Sequence, residues 1–257
     1  MLILLPPSEG KVTPRRGHPL DLTSLSAPEL NPTRELLLAS LSAASAAPDA
    51  LELLGLSAGQ ADHLAKNLTL TTAPTARANE VYSGVLYEAL SFGTLATAAK
   101  RRASARIAIF SSLFGVVRPQ DRIPAYRLGG GVNLPGVGPV AAAWRDCLDP
   151  SINRLAGTGL VVDLRSSTYA GFWRPSADLA LRVASVRVLH EKDGKRSIVS
   201  HFNKATKGRL VRSLVEDGAD LRSTTALADT LRRLGWTVEI GQPSRTGTTL
   251  DVVITTL

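Results

Sequence analysis

Three short apolar runs constrain the fold of this chain more than any other feature. They are Leu2–Leu5 (LILL), residues 107–110 (IAIF) and residues 160–164 (LVVDL). Each is bounded by turn-forming or polar residues and is too short for a buried helix, so each reads as a buried strand. A fourth region, LRVASVRVLHEKDGKRSIVSHF, runs through Val183, Val186 and Val188 to a turn at Asp193-Gly194. It returns through Ser197 to Phe202, the pattern of a β-hairpin. Two last strands are expected at 236–240 and 250–255.

Helical patterns lie between these strands. Leu36, Leu37, Leu38, Leu41 and Ala44 give residues 33–47 a broad apolar face. Residues 138–156 read as two helical pieces broken at Pro150, with Cys147 packed on the first. Leu210, Val211, Leu214 and Val215 turn one face of another helix inward, and a last helix at 225–234 is stopped by Gly235. Strand and helix alternate from end to end without repeats or a low-complexity linker. The expectation is one α/β (or α+β) domain over residues 1–257, with a mixed sheet and helices around it. The alternative is a sheet domain with a helical insertion at about residues 30–105. Residues 49–67 suggest two short helices around Gly55, with Ser57 as an N-cap. That is either a helix-hairpin-helix, whose turn presents N–H groups to a phosphate, or a plain corner between helices.

Composition narrows the function classes. A hydrophobic content of 44% supplies a sizeable core. No apolar run approaches the roughly 18 to 20 residues of a spanning helix, and the N-terminus lacks the flanks of a signal peptide. The single cysteine, Cys147, excludes an internal disulfide and a thiolate zinc cluster. His18, His63, His190 and His201 have no metal-ligand spacing. A cytoplasmic protein without metal, cofactor or membrane partner is expected. The formal charge of +8 favours polyanions, either nucleic acid or phosphorylated ligands.

Four strand ends each deliver a polar cluster. The first carries Ser8, Glu9 and Lys11. The second carries Ser111 and Ser112, then Arg118, Asp121, Tyr126 and Arg127. The third carries Asp163, Arg165, Ser166, Ser167 and Tyr169, and the fourth His201, Asn203, Lys204 and Lys207. Ligands of α/β sheets settle beyond the carboxyl ends of strands. Side by side, these ends would line a cleft with Lys11, Arg118, Arg127, Arg165, Lys204 and Lys207. Residues 192–212 carry seven Lys or Arg against one acid. Lys204 and Lys207 begin a helix, where cations are electrostatically unfavourable, and a bound anion would explain them. Arg118 and Arg127 read equally well as buried pairs with Asp121 and Asp163.

Catalytic patterns are sparse. Ser8 and Lys11 have Ser-x-x-Lys spacing without its companion motifs. His201 would join Asp163 and Ser166 or Ser167 in a triad only if folding brought them together. A lysine nucleophile among Lys11, Lys204 and Lys207 is consistent with clustered cations, which depress a lysine pKa. For an enzyme, the candidates are Lys11, Asp121, Tyr126, His201 and Lys204.

The segments MLILLPPSEGK, VYSGVLYEAL, SLFGVVRPQDRIPAYRL, VVDLRSSTYAGF and HEKDGKRSIVSHFNKATKGRLVRSL resemble, in order, the landmarks of the YaaA peroxide-stress family across nearly the whole chain. The resemblance implies a single compact α/β fold with a positively charged cleft. It also implies a helix-hairpin-helix, DNA binding and protection against oxidative damage. On this reading Lys11, Arg118, Arg127, Lys204, Lys207 and Arg165 contact DNA phosphates without marked sequence preference. The alternatives are an enzyme acting on a nucleotide or nucleobase, a nucleotide-like small anion then being the partner, and a scaffold in a repair complex.

Overall fold

The computed structural model describes residues 1–255; the side chains of Ser200 and His201 lie outside the described part, and with them the roles expected of His201. One eight-stranded mixed sheet organises the chain. Its strands are β1 (Leu2–Leu5), β2 (Ile107–Ser111), β3 (Gly115–Val117), β4 (Val161–Asp163), β5 (Val183–Lys192), β6 (Lys195–Ser197), β7 (Thr237–Ser244) and β8 (Gly247–Ile254). They lie in the order β7-β8-β5-β4-β1-β2-β3, with β6 paired to β5. The pairs β1–β2, β1–β4, β4–β5 and β5–β8 are parallel; β2–β3, β5–β6 and β7–β8 are antiparallel.

The three apolar runs occupy the middle of this sheet. Ile3 pairs with Ile107 on one side and Val162 on the other, and Leu2 to Leu5 are buried throughout. Continuous burial is what a strand covered on both faces requires. Asp193 and Gly194 both have positive φ, the backbone of a two-residue turn, and join β5 to β6 as expected, but the return strand is Lys195–Ser197 rather than Ser197 to Phe202, because the helix Ser200–Asp217 begins there.

The helices are α1 (Asn31–Ala46), α2 (Asp62–Leu68), α3 (Val85–Leu90), α4 (Thr97–Arg106), α5 (Val140–Arg145), α6 (Leu148–Ala156), α7 (Ser200–Asp217) and α8 (Thr224–Arg233), with shorter turns between. The break expected at Pro150 falls instead at Asp146-Cys147. Pro150 sits in the first turn of α6, where no N–H is needed. Helix α7 lies close against α3 at Gly208, where a Cβ would stand 2.2 Å from the Leu86 carbonyl oxygen. The basic run at the end of α4 caps a different helix. Arg102 donates to the Val215 and Glu216 carbonyls, and Arg106 to Gly218 and Ala219, so cations meet the negative end of α7.

The edge strand β3 has a dedicated partner. The fully buried Arg34 of α1 donates to the Phe114 carbonyl at 3.1 Å and the Val116 carbonyl at 3.0 Å. It also donates to Ser26 O and Asn31 Oδ1. Carbonyls that an edge strand leaves unpaired are thereby satisfied. Among the described residues no helix is long and apolar enough to cross a membrane.

Candidate functional site at the carboxyl edge of the sheet

Because β1, β2, β4 and β5 run parallel, their carboxyl ends share one edge. The chain leaves β1 through Pro6-Pro7 and returns beside residues 81–83. Lys11 forms a backbone bridge with Tyr82, and the Val12 N–H donates to the Val81 carbonyl. Ser8 pins the turn: its Oγ accepts from the Ser83 N–H at 3.0 Å and donates to the Gly10 carbonyl at 2.5 Å. The Lys11 side chain folds back, and its Nζ donates to the Ser8 carbonyl at 2.9 Å.

Aromatic rings surround that nitrogen. It lies 4.2 Å from the centre of the Tyr126 ring and 5.5 Å from that of Tyr82. The Tyr126 hydroxyl is 2.8 Å from Ser111 Oγ and 3.0 Å from the Tyr82 hydroxyl. Tyr87 stacks on Tyr82 and donates to the Pro6 carbonyl at 2.7 Å. Tyr169, in the helical turn Ser167–Ala170, interacts with Tyr126 and Ser112. The chain contains four tyrosines, and all four belong to this cluster.

Burial governs the protonation of the group. It lowers the Lys11 pKa to about 7; Glu9 opposes the shift and Arg127 adds to it. The phenols of Tyr82, Tyr87, Tyr126 and Tyr169 are pushed well above their usual range, again chiefly by burial, so they remain neutral donors. With that value about half of the amine is neutral at neutral pH, beside phenols that stay protonated.

Arg127 stands at the rim. The Asn67 side chain of α2 grips its backbone on both sides, donating to its carbonyl and accepting from its N–H, each at 2.9 Å. Its guanidinium pairs with the Glu9 carboxylate. Its Nε is buried and has no acceptor among the described residues. Nearby on α2, the His63 pKa is lowered, first by burial and then by Lys66, Arg127 and Lys11, with Asp62 opposing.

The other expected cations serve the fold. Arg165 makes a bidentate pair with Asp163, at 2.9 and 2.7 Å, and donates to the Tyr169 and Trp173 carbonyls. It is packed against the rings of Phe110 and Trp173. Lys207 is buried, and its Nζ donates to the carbonyls of Leu164 and Arg165 at 2.9 and 3.1 Å. The helix begins at Ser200, so Lys207 lies about two turns in rather than at its start as expected, and those strand-end carbonyls account for it without a bound anion. Burial lowers its pKa to about 8.

Arg118 and Asp121 lie elsewhere, which corrects the expectation of a cleft containing both. β3 runs antiparallel to β2, so the chain reaches Arg118 at the opposite edge of the sheet. There Arg118 donates to the Ala105 and Ile107 carbonyls, while Asp121 accepts from the Arg118 N–H and from the N–H and hydroxyl of Ser26. The expected pairings of Arg118 and Arg127 are also revised: Asp121 holds the Arg118 backbone, and Glu9 rather than Asp163 meets Arg127. Lys204 is exposed on α7, three residues before Lys207.

Residues 49–67 form the short helix Ala50–Leu53, a turn at Gly55 with φ +61°, the 3-10 turn Ala58–Gln60 and most of α2. The Ser57 N–H is taken by Gln60 Oε1 at 3.1 Å. This geometry does not establish a helix-hairpin-helix, though it brings His63, Lys66 and Asn67 to the cluster. Tyr82, Tyr87 and His63 belong to the site without a sequence motif that marks them. The available signal was compositional: tyrosine is rare here, and each copy lies in a segment that carries the family resemblance.

Fold and site together define an α/β protein that gathers cationic and phenolic side chains at the carboxyl edge of a largely parallel sheet. A family model described as peroxide stress protein YaaA matches residues 1–239. The UPF0246 protein of Streptomyces coelicolor is 48% identical over 99% of this chain and 98% of its own length. That of Corynebacterium efficiens is 44% identical over 98% of this chain and 100% of its own. A UPF0246 protein of Corynebacterium glutamicum is 40% identical over 93% and 95%. The chain belongs to the YaaA/UPF0246 family of peroxide stress proteins.

Proposed function

We propose that this protein serves the peroxide stress response by binding duplex or structured DNA, with phosphates held at the carboxyl edge by Lys66, Arg127 and Lys204. The observation that carries this reading is that Asn67 of α2 holds the Arg127 backbone, which brings the neighbouring Lys66 towards a guanidinium whose buried Nε has no acceptor among the described residues, in a chain of formal charge +8. Contacts of this kind read the backbone, so little sequence preference follows. Arg118, Arg165 and Lys207 are not used, because their donors are engaged within the fold. Duplex binding should weaken with log salt at a slope of about −0.9 per phosphate neutralised, and Lys66→Ala with Lys204→Ala should flatten that slope by about 2. An isotherm insensitive to salt would contradict the reading.

A second reading, an enzyme acting on a nucleotide or nucleobase, is favoured by one feature. A partly buried lysine held against two phenol rings exceeds what phosphate binding needs. Turnover of a nucleotide that is lost in Lys11→Arg while DNA binding persists would select it.

A further inference from the structure

The surroundings of Lys11 are unusual for a lysine. Among the described residues its Nζ makes one hydrogen bond, to the Ser8 carbonyl, and no ion pair; the nearby Glu9 carboxylate is paired with Arg127. The rings of Tyr126 and Tyr82 lie 4.2 and 5.5 Å from it. Lys207 shows the contrast, since two carbonyls hold its nitrogen. Lys11 is only partly buried and follows the exposed pair Glu9-Gly10 at the carboxyl edge. Beside it, the buried Nε of Arg127 offers a donor for which the described residues supply no acceptor.

We propose that Lys11 is a covalent lysine whose Nζ forms an imine with a small carbonyl compound bearing an acidic group, the acidic group resting on Arg127. The Nζ lone pair forms the C–N bond as the carbonyl π pair moves onto oxygen. The carbinolamine then loses that oxygen as water. One hydrogen of the water comes from the amine and one from solvent, and a protonated imine remains. That cation lies against the electron-rich faces of Tyr126 and Tyr82, which favour it over the neutral amine. The neutral Lys11 amine supplies the nucleophile at physiological pH. The inference goes beyond both readings above and does not require DNA, whose proposed contacts also involve Lys66 and Lys204.

Reductive trapping tests it on the unmodified protein. With glyoxylate and cyanoborohydride at neutral pH, peptide mapping should find carboxymethylation of Lys11 at least about tenfold faster than of the exposed Lys192, Lys195 or Lys204. Propanal, which lacks the acidic group, should label Lys11 several-fold more slowly than glyoxylate does. Even labelling across the exposed lysines, or an unlabelled Lys11, would overturn the covalent role. Equal rates with propanal would overturn the part given to Arg127. Salt-dependent DNA binding, measured separately, is unaffected by either outcome.

Discussion

The Lys11 nitrogen lies over the ring of Tyr126, 4.2 Å from its centre, while the Tyr126 hydroxyl joins Ser111 to Tyr82. Ring and hydroxyl thus have separable roles. Tyr126→Phe keeps the face under Lys11 and leaves two buried hydroxyls short of a partner. Urea unfolding should show a loss of about 1–3 kcal/mol.

Close approach of α7 to α3 depends on Gly208. A Cβ there meets the Leu86 carbonyl oxygen at 2.2 Å and Ala89 Cβ at 2.8 Å. Gly208→Ala should destabilise by about 1–3 kcal/mol despite the better helix propensity of alanine. Gly59→Ala, where nothing stands within 4 Å, is the control and should change little.

Arg34 holds the carbonyls of an edge strand from within the core. Burial lowers its pKa to about 10, so it remains charged at neutral pH. Arg34→Met removes four hydrogen bonds and leaves buried acceptors unpaired. The expected loss is about 3 kcal/mol or more, read as a fall in the unfolding midpoint.

Cations of the rim and cations of the fold should separate in experiment. Arg118→Ala should lower stability and leave the salt slope of DNA binding unchanged, because its guanidinium caps Ala105 and Ile107. Lys204→Ala should do the reverse. Glu9→Gln removes the anion paired with Arg127 and should tighten DNA binding several-fold at low salt.

Stability should rise with pH above neutrality. Lys11 and Lys207 titrate at about 7 and about 8 in the folded chain against 10.5 for an ordinary lysine. Between those values and 10.5 the unfolded chain binds more protons, so folding gains at most about 1.4 kcal/mol per pH unit from each group. Above about pH 10 the trend should turn. The buried tyrosines have raised pKa values, so unfolded phenols ionise first and favour unfolding. Urea midpoints that fall from pH 7 to 9 would contradict the two lysine shifts.

The sheet was legible because its central strands are unbroken apolar runs and its hairpin turn carries Asp193-Gly194. The site was legible only in part. Lys11 and Tyr126 stand out as polar groups following strand ends, but sequence adjacency misplaces Arg118. The antiparallel return of β3 carries it across the sheet before residues 122–126 come back. Lys207 resembles an anion ligand in sequence, since the carbonyls it reaches belong to a strand 43 residues away. Tyr82 and Asn67 enter through tertiary contact alone, which no local pattern encodes.

The most direct test of a poised lysine among tyrosines is an NMR titration of labelled lysine side chains. Lys11 should titrate near pH 7, well below the ordinary lysine value. A Lys11 midpoint at about 10.4, the ordinary value for a lysine, would contradict the account.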